Sequence, residues 1–256
     1  ADSGTRAYGR WFRIAVAAVM LAGTLATWRV ARREDAHMRD DILTEARMVA
    51  NAVNWNLVDN LTASDRDLDS PDYRRLKERL SMVRSANPRY RFIYLMGEWP
   101  GKGVFFFVDS EPPTSPDYSP PGQRYPEAQK ILLDVFSRGE EAVEGPVSDR
   151  WGTWVSALVP LLDPETGKVT AVLGMDIGAG PWQAEIREAC VLPIAITLLI
   201  VALLERFYMV RRGADQARFN FEIFFNSVED FLFVLDCDRR IQHVNETVVR
   251  RLGYHR

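Results

Sequence analysis

The stretch that decides the fold is WGTWVSALVPLLDPETGKVTAVLGMDI, residues 151–177. Two apolar runs, 151–162 and 168–177, flank the five residues Asp-Pro-Glu-Thr-Gly. Asp, Pro and Gly are typical of turns, and two such runs around a turn predict a hairpin of antiparallel strands. This part of the chain is therefore expected to form β-sheet.

Upstream of the hairpin, the pattern predicts helices first and strands later. Residues 29–60 contain no Gly or Pro and carry one apolar stripe, which predicts a long helix continuous with the apolar run before it. Ser70 and Pro71 predict the N-cap and first position of a second helix that ends at Asn87. The remaining predicted elements are strands at 92–96 and 104–108, a proline-rich loop at 110–123 and a helix at 126–136.

Two uncharged apolar runs flank this domain: IAVAAVMLAGTLATW at 14–28 and ACVLPIAITLLIVALL at 189–204. A bilayer span needs about 20 apolar residues, with about 17 as a minimum. Each run reaches that length if Arg and Glu side chains near its ends extend to the interface. The alternatives are a signal peptide for the first run, which ends in a poor cleavage site at 28–32, and a buried core helix for the second. We predict two transmembrane helices.

The charges predict the topology. Residues 1–28 hold three basic and one acidic residue, 29–188 hold 20 and 26, and 189–256 hold nine and eight. Arginines before the first span and after the second predict that both chain ends are cytoplasmic. The arginines at 29–33, on the other side of the first span, oppose this prediction. The predicted organisation is a stub at 1–11, a span at 12–28, an extracytoplasmic domain at 29–188, a span at 189–210 and a cytoplasmic segment at 211–256.

Composition and motifs exclude several functions. The chain is 47% apolar and 26% charged with a net charge of −3, which excludes a disordered chain and a strongly basic nucleic-acid binder. Its two cysteines, Cys190 and Cys237, have no metal-ligand spacing. The only His in 29–188 is His37, far in sequence from any strand-end Ser. We therefore predict no catalytic site, no metal site and no nucleic-acid partner in this chain.

The domain at 29–182 resembles the PAS-like extracytoplasmic sensor domains called Cache domains. The resemblance rests on the order of elements and on the position of the domain between two spans, after a long membrane-proximal helix. The stretches DSEPPTSPDYSPPGQ (109–123), DRWGTWVSALVP (149–160) and AVLGMDI (171–177) also resemble an uncharacterised group of bacterial sensor domains. It implies an α+β fold with an antiparallel sheet and a long N-terminal helix, lying between two transmembrane helices. It also implies a ligand on the sheet beneath the long loop.

The ligand-binding candidates share aromatic or polar side chains at strand and loop positions near that surface. They are Tyr94, Phe106, Asp109, Tyr118, Arg124, Tyr125, Trp151, Trp154, Ser156 and Asp176. Aromatic walls with a few charged groups suit a small polar ligand, with an Asp pairing an amine or an Arg pairing a carboxylate. The alternative is that the aromatic residues are core and the aspartates cap turns.

The stretch FEIFFNSVEDFLFVLDCDRRIQHVNETVVRRLGY (221–254) resembles the opening of a PAS domain. It predicts strands at 231–236 and 241–244, joined by a turn, and a helix capped by Asn245. The match covers about the first third of such a domain, so we expect the chain to be part of a longer protein. His243 is expected at the surface, and no haem or flavin signature is visible.

Chains with this order of parts resemble bacterial sensor histidine kinases of the inner membrane. The resemblance implies a homodimer, a small-molecule ligand outside, and a kinase module beyond residue 256 that uses ATP and signals to a response regulator in a two-component phosphorelay. No cofactor is predicted for the chain itself. A diguanylate cyclase output and a receptor or anchor without enzymatic output are the alternatives.

Overall fold

The fold is taken from a computed structural model that describes residues 2–253. The chain divides into two compact units, Thr27–Val191 and a second unit made of Ala1–Ala26 with Leu192–Arg256. In chain order the helices and strands are α1 (Asp2–Ala52), α2 (Trp55–Asp59), α3 (Pro71–Ala86), β1 (Phe92–Trp99), β2 (Gly103–Asp109), α4 (Lys130–Arg138), β3 (Ala142–Ser148), β4 (Thr153–Leu162), β5 (Val169–Gly178), α5 (Ala179–Ser227), β6 (Phe233–Leu235), β7 (Ile241–Val244) and α6 (Glu246–Leu252).

The first unit contains an antiparallel five-stranded sheet in the order β2-β1-β5-β4-β3. The predicted hairpin is confirmed: β4 pairs with β5 from Trp154↔Gly178 to Leu162↔Val169. Asp163 closes the turn by donating its backbone N–H to the Lys168 carbonyl (2.9 Å). The α+β class and the long N-terminal helix are also confirmed.

Strand β3 was not predicted. It is an edge strand whose pairing with β4 is interrupted between Glu144 and Val147, where Gly145 and Pro146 lie. Proline cannot donate to the strand ladder and is tolerated at edges and bulges. These two residues hide the strand from a search for alternating apolar residues.

One face of the sheet, here called the helix face, packs against α1 and α3. Alternate strand residues point to this side, as do the helix residues Ile42 and Ala46 of the predicted stripe and Leu76 and Leu80 of α3, all at most 1% exposed. Burial of each such leucine or isoleucine contributes about 1.5–3 kcal/mol. The helix face is therefore the larger core of the domain.

The prediction that one helix continues to Asn60 is wrong, because α1 ends at Ala52. The side-chain oxygen of Asn54 accepts a hydrogen bond from the backbone N–H of Asn56 (3.1 Å), and Asn54 itself has an extended backbone. Asn competes well for such local bonds, so it caps a new short helix and does not continue the old one.

The opposite face, here called the loop face, carries α4 and the loop that precedes it. Leu132, Val135 and Phe136 of α4 are buried against the sheet. The helix begins at Lys130 instead of the predicted 126, and Gly139 ends it in a left-handed conformation (φ 69°). The loop face holds most of the sequence-predicted ligand residues.

Two helices of the chain have the length and composition to cross a membrane. Their most apolar 18-residue windows have mean hydropathies of 1.7 in Tyr8–Ala52 and 2.2 in Ala179–Ser227. The second window is 6% buried, which does not fit the core helix of a soluble domain. Here a Cβ on Gly23 of α1 would meet the Thr197 side chain of α5 at 2.3 Å. Small residues at such contacts let two helices approach closely.

The C-terminal segment forms the predicted hairpin and helix. Strands β6 and β7 pair antiparallel, and α6 follows. The fully buried Asn245 side chain accepts from the backbone N–H groups of Leu232 (3.2 Å) and Val248 (3.3 Å) and donates to the Val228 carbonyl (3.1 Å). One side chain thus joins the hairpin, the helix and the residues before them. His243 is exposed, as expected.

Candidate functional site

A cavity lies on the loop face of the sheet, beneath the proline-rich loop. It measures about 310 Å³ with its open mouth, but its interior offers only about 20 Å³ to water-sized molecules. An interior of that size accommodates about one water, so a larger ligand requires the residues that line it to rearrange. Six of the ten sequence-predicted residues line it: Tyr94, Phe106, Asp109, Tyr125, Trp151 and Asp176.

The other four predicted residues do not line the cavity. Trp154 packs edge-on against Phe92 (5.0 Å between ring centroids), behind the lining. Ser156 lies opposite Asp176 in the strand register. Tyr118 is hydrogen-bonded to the hydroxyl of Tyr73 (2.9 Å). Arg124 lines a separate surface cleft. The sequence left open two ligand types, an amine that pairs with an Asp and a carboxylate that pairs with an Arg. The structure places aspartates at the cavity and Arg124 outside it.

Sequence reasoning missed five lining residues, which are Phe92, Met96, Asp117, Ser119 and Asp149. Phe92 and Met96 flank Tyr94 at intervals of two along β1, so strand periodicity alone could have found them. Asp117, Ser119 and Asp149 lie in loops, where no periodic signal exists.

Tyr94 is held in place from below and from the side. Its hydroxyl donates to the Asp176 carboxylate (3.0 Å). Directly across the strand pair is Gly174, where a Cβ would come within 2.1 Å of the Tyr94 ring. The missing side chain at Gly174 therefore gives the ring the room to lie flat on the sheet.

Asp176 is one of two buried acids that line the cavity, with 4% of its surface exposed; Asp109 is the other. Burial raises its pKa to about 7, against opposing hydrogen bonds from Ser156 and Tyr94. Two further acids, Asp149 and Glu144, raise the same pKa through charge repulsion. Near neutral pH this carboxyl group therefore changes its charge readily, because burial disfavours its ionised form.

Asp109 and Asp149 hold loops in place. The Asp109 carboxylate accepts from the backbone N–H groups of Glu111 and Ser119 (both 2.8 Å) and so joins two distant points of the proline-rich loop. Burial raises its pKa, and these two bonds oppose that rise. Asp149 accepts from the Trp151 backbone N–H (2.8 Å) and the Tyr125 hydroxyl (3.2 Å). Both carboxylates therefore hold turns through backbone hydrogen bonds, which for Asp109 is the role that the alternative interpretation describes.

The roof of the cavity is fastened to the rest of the domain by cations. Lys77 of α3 donates to the backbone carbonyls of Asp109 (2.8 Å) and Glu111 (2.6 Å). Burial lowers the pKa of Lys77. Arg91 pairs with Glu111 and Asp117 at the rim. These contacts hold the loop in place without occupying the cavity.

Comparisons with known proteins give a limited result. No protein-family model matches the chain, and no curated protein matches it. Solved structures of similar fold include the sensory domain of the Campylobacter jejuni chemoreceptor Tlp3, with a TM-score of 0.49, 9% identity, and coverage of 96% of this chain and 80% of that chain.

Two complexes of the Tlp3 ligand-binding region were also found. The complex with L-valine has a TM-score of 0.44 and 12% identity, and that with isoleucine 0.43 and 13%; each covers 69% of this chain and 66% of that chain.

Proposed function

We propose that the chain is the input half of a bacterial transmembrane receptor, with residues 29–188 outside the cytoplasmic membrane and a small molecule as its signal. The observation that best supports this proposal is the aromatic cavity with a buried acid, Asp176. It lies in a domain whose first and last helices continue into apolar segments. A concave, mostly apolar site with a few polar groups is the usual form of a ligand pocket. The segment at 211–256 would then begin a cytoplasmic PAS domain.

A latch between α1 and α5 supports a relay role. The Trp182 side chain of α5 is 1% exposed and donates its indole N–H to Asp35 of α1 (2.9 Å). Arg39 also donates to Asp35 (2.9 Å) and lies over the Trp182 ring. Burial would raise the pKa of Asp35, but the bonds from Arg39 and Trp182 outweigh it and lower the pKa. The latch therefore keeps its charge at neutral pH.

The proposed mechanism is that ligand binding on the loop face shifts α1 and the start of α5, and that both helices carry the shift inward. Inserting Gly-Gly after Arg32 would interrupt α1 between the latch and the predicted membrane segment. We expect the full-length receptor to lose its response to ligand while still binding it. An unchanged response would contradict this mechanism.

The sensor role itself is tested by screening for ligands. The chain is reconstituted in nanodiscs and screened against a metabolite library by thermal shift, followed by calorimetry of the hits. We expect at least one small molecule to bind, and Phe106→Ala to weaken it, because Phe106 lies in the cavity wall. If no compound of any class binds, the proposed function is wrong.

The output is proposed to be a histidine kinase encoded beyond residue 256, as the resemblance to sensor kinases implies. Incubating the full-length receptor with labelled ATP tests this, because a kinase becomes phosphorylated on His and transfers the group to a response regulator. Formation of cyclic diguanylate from GTP would instead identify the cyclase alternative. Absence of both activities would indicate a receptor or anchor without an enzyme.

A further inference from the structure

The charges around the cavity are unevenly matched. Among the residues that the structure describes, four of the lining side chains are aspartates and none is a Lys or Arg. Asp117 is paired with Arg91 at the rim, and Lys77 lies near Asp109 and partly offsets its charge. Asp149 and Asp176 take part in no ion pair in the described part of the chain.

A third acid extends this unpaired set along one row of the sheet. Glu144 of β3 lies opposite Ser156, which lies opposite Asp176, so all three side chains are on the loop face. Glu144 is 8% exposed, and its Oε1 atom has no hydrogen-bond partner among the described residues. A buried carboxylate oxygen without a partner is costly, and a hydrogen-bond donor from a ligand would relieve that cost.

The nearby cations are already engaged. Arg91 is bound by Glu111 and Asp117, and Arg150 is bound by Glu127 through two hydrogen bonds of 2.7 and 2.8 Å. Neither guanidinium pairs with Asp176 or Glu144. Asp149 is satisfied by hydrogen bonds from Tyr125, Trp151, Gly152 and Trp154 and interacts with the charge of Arg150. The charges without an ion-pair partner among the described residues are therefore those of Asp176, which receives a neutral donor in the Tyr94 hydroxyl, and of the neighbouring Glu144.

The aromatic side chains that line the cavity also favour a bound cation. The Phe106 ring makes edge-to-face contacts with Tyr94, Tyr125 and Trp151, at centroid distances of 5.5, 5.8 and 5.8 Å. The Tyr125 and Trp151 rings are nearly parallel, 6.2 Å apart. Aromatic faces attract ammonium groups, and the attraction is strongest where water is excluded. We call these four rings, which line the cavity together with Asp176, the aromatic cage. One of them, Trp151, already attracts a cation, because the central carbon of the Arg150 guanidinium lies 5.0 Å from its ring centroid.

We infer that the ligand of this site is a small organic cation, a primary or substituted amine without a carboxylate, whose ammonium group lies against Asp176 and the aromatic cage. The inference rests on the proposed sensor function and narrows its ligand class. An anionic ligand would add charge to an acidic cavity, and an amino acid would leave its carboxylate facing a lining without Lys or Arg.

Binding should then depend on pH, because the ammonium group pairs with the ionised form of Asp176. The acids facing Asp176 are Asp149 and Glu144, and burial raises the pKa of Glu144 as well. Burial also raises the pKa values of Tyr94 and Tyr125, so neither phenol gains a charge near neutral pH. With the pKa of Asp176 at about 7, lowering the pH from 8 to 6 should weaken amine binding about tenfold.

The test uses compounds that share a skeleton and differ in charge. Phenethylamine, 2-phenylethanol, phenylalanine and 3-phenylpropionate form one set; isopentylamine, isopentanol, leucine and 4-methylpentanoate form another. Calorimetry is done with the full chain in nanodiscs. We expect the amine of at least one set to bind at least about tenfold more tightly than its neutral, zwitterionic and anionic counterparts, as a buried charge pair implies.

Variants locate the site. Asp176→Asn should weaken amine binding at least about tenfold and remove the pH dependence, whereas Asp134→Asn, a matched change on the exposed side of α4, should leave both unchanged. If Asp176→Asn does not fold, Glu144→Gln and the wild-type pH profile serve instead. Tighter binding of an amino acid or a carboxylate than of its amine would overturn the inference and leave the sensor function standing. Binding of no compound in either set or in the library would overturn both.

Discussion

Replacing Asp176 with Asn should stabilise the domain while it removes the ligand's charge partner. The substitution keeps the size of the side chain and an oxygen that can accept from the Tyr94 hydroxyl, now 3.0 Å from the carboxylate. It removes a negative charge that is 4% exposed and has no ion-pair partner in the described residues. Functional groups held in unfavourable surroundings commonly reduce stability in this way.

The magnitude follows from the pKa of the group. Burial raises the pKa of Asp176 from its ordinary value of 3.8 to about 7. Between these two values the folded domain binds a proton that the unfolded chain has released, so the wild type loses stability as the pH rises from about 4 to about 7. At 1.36 kcal/mol per pH unit the loss reaches about 4 kcal/mol at pH 8 and is about 2 kcal/mol at pH 5. Asn carries its own burial cost, so we expect a net gain of about 2–4 kcal/mol at pH 8.

The assay is guanidinium unfolding of residues 34–188 at several pH values. All buried residues of the cores on the helix face and the loop face lie between Met38 and Trp182, so this segment is expected to fold as a separate domain. The gain of Asp176→Asn over wild type should shrink steadily from pH 8 to pH 5, and Asp134→Asn should change the free energy of unfolding by less than about 0.5 kcal/mol. A destabilised Asn variant at pH 8, or a gain that does not change with pH, would refute the reasoning.

Three further substitutions test the packing by the same titration. Trp182→Phe removes the indole donor to α1 and should cost about 1–2 kcal/mol. Gly174→Ala places a Cβ against the Tyr94 ring and should cost about 1–3 kcal/mol and abolish binding in the cavity, read by calorimetry. Ser70→Ala removes the N-cap of α3 and should cost about 1 kcal/mol, whereas Ser85→Ala near the exposed end of that helix should cost almost nothing. An unchanged unfolding midpoint in Trp182→Phe or Ser70→Ala would contradict the hydrogen bond that the variant removes, and in Gly174→Ala it would contradict the close packing of the Tyr94 ring on Gly174.

The elements that local chemistry determines could be predicted from the sequence. Ser70 and Pro71 begin α3 as expected, with the Ser70 side chain accepting from the backbone N–H of Asp72. Elements that depend on tertiary pairing were harder. Strand β3 is held by its partner β4 in spite of Gly145 and Pro146, and no local pattern reveals it.

The site residues on strands could be predicted from the sequence, and those on loops could not. Tyr94 and Asp176 lie on strands whose alternation places them on one face. Arg124 had the right chemistry for a carboxylate ligand, but the path of the loop carries it to another cleft. Asp149 reaches the cavity only because a tight turn before β4 directs it there, and turn paths are not readable from residue types.

The short distance along the chain between Asp176 and α5 limits how a signal could be lost. Asp176 lies near the end of β5, and α5 begins at Ala179 with no linker between strand and helix. Only Ile177 and Gly178 separate Asp176 from the first residue of α5, so a displacement of the Asp176 backbone would reach the helix without an intervening linker.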